Sequence, residues 1–178
     1  MKRLIIILTF FCISGLVFGQ TLPSAPQGIS ANFSTKSIAA YQQSSQNKIE
    51  TFFEYLTLYS AEKKSELKKQ IRENISLMTD PDMKIPDFTT SFFAETELDE
   101  FLSRIENQSI QFKIKSRQNS GETGLNHWIN SYALSVVQNG KTSNFELNQI
   151  IYFTSEEKQF GSRTKSVWEI KLGDIEMR

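Results

Sequence analysis

The chain has 178 residues, with 20 Lys and Arg against 20 Asp and Glu, and a single His and a single Cys. A balanced charge gives no reason to expect nucleic acid or an anionic membrane surface as a partner, because both favour a strongly basic protein. The one cysteine, Cys12, lies among the first 19 residues. The rest of the chain can therefore form no disulfide and offers no thiol nucleophile.

Residues 1 to 19 have the pattern of a secretory signal peptide. Lys2 and Arg3 precede an apolar run that ends at Phe18, and Gly19 is a small residue suited to cleavage before Gln20. The run is shorter than the roughly 20 residues that span a bilayer, which favours cleavage over a retained membrane anchor. We therefore expect a periplasmic or secreted protein whose contact with the membrane ends when the signal is removed.

A flexible leader and one folded domain are predicted for the remainder. Residues 20 to 36 are rich in Ser, Pro and Gln and lack an apolar period, which is typical of a flexible segment. The domain is expected over residues 37 to 178, a length that suits a single core. It opens with a helical period at Ile49, Phe52, Phe53 and Leu56, and a second one follows at Leu67, Ile71, Ile75 and Met78. The two stretches form either one helix or two helices that break near Ser60.

The segment from Thr79 to Asp87 contains two prolines and three aspartates. Oxygen-rich loops can bind calcium, but an EF-hand loop needs alternating oxygen ligands, a central glycine and a closing glutamate. Met83, Lys84 and Ile85 occupy the middle of this segment instead. A proline-punctuated turn is predicted here, and no metal site.

A third helix and then a set of strands complete the predicted elements. The helix is indicated by the capping pattern Thr96 to Asp99, followed by apolar Leu98, Phe101, Leu102 and Ile105. Strand-like alternation begins at Ile110, Phe112 and Ile114, and the chain ends with the same period at Trp168, Ile170 and Leu172. Amphipathic helices before an antiparallel sheet predict an α+β fold.

The pair Asn139-Gly140 predicts a β-hairpin with a two-residue turn of type I′. Such a turn pairs residues whose numbers sum to 279. It sets Trp128 opposite Ile151, Tyr132 opposite Leu147 and Leu134 opposite Phe145, so apolar side chains meet on one face. A shift by one residue would place them against polar partners, so the register should be well defined.

The order of these elements resembles the nuclear transport factor 2-like, or cystatin-like, superfamily. The resemblance is carried by "NKIETFFEYLTLYS", by "ETELDEFLSRIEN" leading into "QSIQFKIK", by the long hairpin and by the final "VWEIKLGDI", which together cover about residues 37 to 178. The ending is similar to that of exported bacterial members, where such domains occur alone or as accessories in envelope proteins. A helical hairpin packed on an unrelated antiparallel sheet is the alternative.

The resemblance implies a cone, in which the helices pack inside a curved sheet and the open end forms a pocket. Enzymes of the superfamily, such as the ketosteroid isomerases and scytalone dehydratases, place acid and base residues there. Other members bind ligands or proteins, or dimerise through the sheet. The fold alone therefore does not select a function.

His127 and Tyr152 are the candidate catalytic residues. His127 is the only side chain that titrates near neutral pH without perturbation, and the hairpin register places it opposite Tyr152. Both lie on the face of the hairpin opposite Trp128. A histidine at the start of a strand is more often a partly exposed surface residue than a catalytic one. No second His or Cys is available to complete a metal site, and no motif indicates a cofactor.

Aromatic side chains supply the candidate ligand-binding residues, which are Phe92, Phe93, Phe101 and Trp128. Aromatics around the third helix can line an apolar pocket or simply fill the core, and the core is favoured. The sequence thus favours a non-enzymatic exported module that binds an apolar small molecule or a partner protein of the bacterial envelope. The alternatives are a lyase or isomerase that uses proton transfer, and a structural envelope protein that forms a homodimer through its sheet.

Overall fold

The computed structural model describes residues 28–90, 92–118 and 124–178. The helices are α1 (Ile29–Asn32), α2 (Thr35–Ala61), α3 (Ser65–Met78) and α4 (Leu98–Ile105). The strands are β1 (Lys84–Pro86), β2 (Glu95–Glu97), β3 (Gln111–Gln118), β4 (His127–Gln138), β5 (Lys141–Phe160) and β6 (Arg163–Met177). β1 pairs with β2, and β3 to β6 form an antiparallel sheet in chain order. The α+β prediction is confirmed, whereas the predicted signal peptide lies outside the described residues.

Helix α2 buries one face along its length and ends at a defined break. Its Ser34 cap accepts a hydrogen bond from the Ser37 N–H at 3.2 Å. The buried positions are Ser45, Ile49, Phe52, Phe53, Leu56, Tyr59 and Ser60. After Ala61 the Glu62 carboxylate accepts the N–H groups of Lys63 and Lys64 at 2.9 and 2.8 Å. A continuous helix would use those donors internally, so the break near Ser60 is the alternative that the structure adopts.

Helix α4 begins at Leu98, and its N-cap is Glu97 rather than the predicted Thr96. The expected cap at Thr96 is wrong, because Thr96 belongs to β2 and pairs with Ile85 of β1. Its hydroxyl donates to the Glu100 carboxylate at 2.8 Å instead of accepting a helical N–H. Strand pairing has therefore overridden the local capping pattern.

The β4–β5 hairpin has the predicted register. Trp128 pairs with Ile151, Tyr132 with Leu147 and Leu134 with Phe145, and all six side chains are buried. Asn139 and Gly140 have φ angles of 51° and 76°, both positive as a type I′ turn requires.

Strands β5 and β6 continue well beyond β4. β4 begins at His127 opposite Tyr152, while β5 runs on to Phe160 and pairs with β6 out to Arg163. Among the described residues, the segment 154–169 is thus a two-stranded extension, called the ribbon below.

One end of the sheet holds a group of packed aromatic rings, called the base cluster: Phe33, Tyr41, Trp128, Phe153 and Trp168. Phe153 lies at its centre, 4.9 Å from the Trp168 ring and 5.2 Å from the Phe33 ring. Residues 28–36 were expected to be part of a flexible leader, and the structure differs here. Ile29 is 2% exposed and its N–H donates to the Leu125 carbonyl at 2.9 Å. The burial of Ile29 and the packing of the half-buried Phe33 on Phe153 explain why this segment packs on the domain.

Candidate functional site

An open groove of about 370 Å³ lies at the opposite end of the sheet, beside the Asn139-Gly140 turn. Phe88, Phe93 and Val136 are its apolar lining residues, and the remaining lining residues are polar and include one cation, Lys141. Its volume falls in the range of about 300–1,000 Å³ that is usual for ligand sites. The groove is therefore large enough to take one or more side chains of a partner.

The segment that walls the groove turns one phenylalanine inward and leaves the other in solvent. Phe93 has a φ of 45°, a backbone conformation that bulky residues rarely adopt. Its ring packs edge-on against Phe145, with ring centroids 5.1 Å apart. Phe92 is 92% exposed. This is the largest exposure among the big apolar side chains of the described residues, and exposed apolar surface of this kind often marks an interaction site.

A buried carboxylate holds this wall in place. The Asp87 side chain is fully buried, and it accepts hydrogen bonds from the N–H and hydroxyl of Thr89 and from the Arg104 guanidinium. The Asp87 N–H donates to the Ala94 carbonyl at 2.9 Å, which closes the segment at both ends. Burial alone would raise the pKa of the Asp87 carboxyl, but the hydrogen bonds from Thr89 and Arg104 outweigh it and hold the pKa below its ordinary value.

A second polar arrangement lies in the interior, beneath helix α2. Ser45 Oγ accepts from Trp128 Nε1 at 3.2 Å and from Asn130 Nδ2 at 2.8 Å, and donates to the Gln42 carbonyl at 2.7 Å. The Tyr132 hydroxyl donates to Gln149 Oε1 at 3.0 Å. Burial raises the pKa of Tyr132 well above 10, so this phenol stays protonated and acts as a donor.

Asn130 and Gln149 were missed in the sequence although a signal for them existed. They face each other across β4 and β5, and both are buried. Their numbers also sum to 279, so the hairpin register already placed a polar pair on the apolar face. Buried positions are usually apolar, so a buried polar pair in an otherwise apolar stripe is an exception that carries information.

A small cavity of about 10 Å³ adjoins Asn130. Helix α2 contributes Gln46 and Ile49 to its walls, and β3 contributes Ile114 and Arg117. This volume is far below the range of about 300 Å³ and more that small-molecule sites occupy.

The two candidate catalytic residues pair across the strands as the register requires. His127 is half-buried, and its Nδ1 lies 3.3 Å from Asn126 Oδ1. The Tyr152 ring packs on Gly173, where an added Cβ would lie only 2.5 Å from Tyr152 Cε2. Burial, together with the nearby carboxylates of Asp174 and Asp80, raises the pKa of Tyr152. His127 and Tyr152 line neither the groove nor the small cavity beside Asn130.

The four candidate ligand-binding residues fall into two groups. Phe93 lines the groove and Phe92 is its exposed neighbour in the chain. Phe101 and Trp128 are fully buried in the core.

Within the described residues, no three His, Cys, Asp or Glu side chains are grouped closely enough to hold a metal ion. Across the same part of the chain, no helix is long and apolar enough to cross a membrane.

Searches against family models and against curated proteins found no match for this chain. Function has to be inferred from the chemistry of the groove and the interior.

Proposed function

We propose that this chain is an exported, non-enzymatic binding module of the nuclear transport factor 2-like kind, and that the groove beside Phe92 takes an apolar segment of a partner protein. The observation that carries the proposal is Phe92, a phenylalanine that is 92% exposed on a wall fixed by the buried Asp87. Interface hot spots are enriched in aromatic residues that meet a partner beside a pocket.

The order of elements supports the fold assignment. Helices α2 and α3 precede α4, and a four-stranded antiparallel sheet with long final strands follows. The pattern of residues 1 to 19 supports export to the periplasm or beyond.

The distribution of free space favours a partner protein over an apolar small molecule. Phe101 and Trp128, which would line an internal pocket, are fully buried among other side chains. The cavity beneath helix α2 measures only about 10 Å³. The groove is open and is lined by both apolar and polar residues, a mixture that protein interfaces also show.

The positions of His127 and Tyr152 weigh against the proton-transfer alternative. A general base has to come within hydrogen-bond reach of the proton that it removes. The two side chains lie outside both the groove and the small cavity beside Asn130, so a substrate bound in either space would not meet them.

Selection of a random peptide library against the purified protein tests this proposal. We expect enriched peptides that share an aromatic or branched aliphatic anchor, and we expect Phe92→Ser to weaken their binding by about tenfold or more. Leu77→Ser is the matched control, because Leu77 is 70% exposed and lies on α3 away from the groove. Peptides that bind both variants as tightly as the unchanged protein would overturn the proposal.

Light scattering of the purified protein separates a foreign partner from a second copy of the chain. A monomer at all concentrations is expected. A dimer that Phe92→Ser dissociates would identify the groove as a homodimer interface, and the proposal of a foreign partner would then fail.

A further inference from the structure

We infer that the small, partly open cavity beside Asn130 is a binding site for one water molecule, which joins helix α2 to the sheet. Asn130 is 2% exposed, and its Oδ1 is the buried side-chain oxygen that has no hydrogen-bond partner among the described residues. Asn130 also lines the cavity of about 10 Å³. The inference does not depend on the groove or on its partner.

Rotation of the Asn130 amide does not remove the unpaired group. In the present orientation Nδ2 donates to Ser45 Oγ at 2.8 Å and Oδ1 is unpaired. With oxygen and nitrogen exchanged, the Ser45 hydroxyl could donate to Oδ1 only by giving up its hydrogen bond to the Gln42 carbonyl at 2.7 Å, so one acceptor would still lose a donor. A buried amide group without a partner is strongly unfavourable, so a small polar occupant stabilises either orientation.

The chemistry of the walls selects water over an ion. A water molecule can donate to Oδ1 or accept from Nδ2, so it suits both orientations of the amide. A metal cation would meet the methyl groups of Ile49 and Ile114 and the positive charge of Arg117. An anion would meet the Asn130 carbonyl oxygen as the amide is now oriented.

The size of the cavity also agrees with a single water, although most of its surface is apolar. A cavity of about 10–15 Å³ in this measure is the smallest that can hold a water molecule, which then needs two or more polar partners. Asn130 supplies one partner, and the polar residues Gln46 and Arg117, which also border the space, are the candidates for the second. Since Gln46 lies on α2 and Arg117 on β3, the water would extend the contact that Ser45 already makes between helix and sheet.

A high-resolution crystal structure of the unchanged protein tests the inference directly. The expected result is a density peak within hydrogen-bond distance of the Asn130 amide and inside the cavity. An ordered Asn130 beside an empty cavity, or an amide whose two polar atoms are both paired with protein groups, would overturn the inference.

Magnetic relaxation dispersion of the water signal gives a second test in solution, because it counts long-lived internal waters. Asn130→Leu should lower that count by one relative to the unchanged protein. Asn144→Leu is the control, since Asn144 is exposed on β5 of the same hairpin, and it should leave the count unchanged. Equal counts in a folded Asn130→Leu variant would contradict the assignment, and if that variant fails to fold, the crystal structure decides.

Discussion

At the base cluster, Phe33 lies in the segment before α2. Its ring centroid is 5.2 Å from that of Phe153 and 5.1 Å from that of Trp168. At the groove, Phe93 makes an equally close contact with Phe145, at 5.1 Å, but Phe92 beside it extends into solvent. The two ends of the sheet are similar in aromatic content and differ in coverage. Aromatic content therefore does not distinguish a core from a binding surface. The presence or absence of a covering segment distinguishes them. Three sets of variants test this contrast.

The largest effect is expected in the base cluster. Phe153→Ala should lower the free energy of unfolding by about 3–5 kcal/mol, because it removes a fully buried ring and leaves a cavity among its neighbours. Phe92→Ala should change it by no more than about 0.5 kcal/mol, since the side chain is exposed. Urea denaturation of both variants measures the difference. A loss at Phe92 as large as that at Phe153 would show that the groove is closed in solution.

An intermediate effect is expected at the carboxylate that holds the groove wall. Asp87→Asn keeps the size of the side chain but weakens its hydrogen bonds with Thr89 and Arg104, and it should cost about 1–3 kcal/mol at neutral pH. The pKa of Asp87 is lower in the folded state than in the unfolded state, where it is about 3.9. The ionised carboxylate therefore stabilises the fold above that value, and this stabilisation is lost as the pH falls through the lower folded pKa.

The measurement is urea denaturation of Asp87→Asn and of the unchanged protein over a series of pH values. The stability gap between them should narrow on acidification within this window. Asp99→Asn is the control, because Asp99 forms an exposed ion pair with Arg72 and should show only a small change. A gap that stays constant down to the lowest pH would rule out an ionised, stabilising Asp87.

The smallest effect is expected at the hairpin turns. Gly140→Ala places a Cβ on a residue with a φ of 76°, and nothing lies within 4 Å of that atom, so the cost of about 1–2 kcal/mol comes from the backbone alone. Gly161→Ala, with a φ of 63° and equally open space, introduces similar strain at the end of the ribbon. The ribbon can fray locally, so its variant should lose less global stability in thermal unfolding. Equal losses would indicate that the ribbon unfolds together with the sheet.

The sequence predicted those parts of the fold in which local chemistry and side-chain pattern agree. The Asn139-Gly140 turn and the apolar pairs of its strands both required one register, and that register is present. The cap at Thr96 failed because a local pattern competed with strand pairing to Ile85, a contact between distant residues. The contact between Asp87 and Arg104 likewise joins residues 17 positions apart, with no period to connect them.

The candidate site could be predicted only in part. Phe92 and Phe93 were recognised as aromatic candidates, but sequence gives no means of deciding which of two adjacent phenylalanines turns outward. That choice depends on the positive φ of Phe93 and on a loop closed by the Asp87 N–H. The Asn130 and Gln149 pair could have been found from the register, since both interrupt an apolar face.

The ribbon also bears on aggregation. Among the described residues, its outer part pairs only β5 with β6, so both of its edges carry backbone N–H and C=O groups that another chain could add to. Charged side chains are spread over both strands, namely Glu156, Glu157, Lys158, Arg163 and Lys165. Lys158 lies directly opposite Lys165, and each has its own partner, because Lys158 forms an ion pair with Glu169 and Lys165 lies 5.8 Å from the centroid of the Phe160 ring. These charges make it costly to stack copies of the ribbon into an amyloid-like array, so the extension resists fibre formation while its lysines remain paired within it.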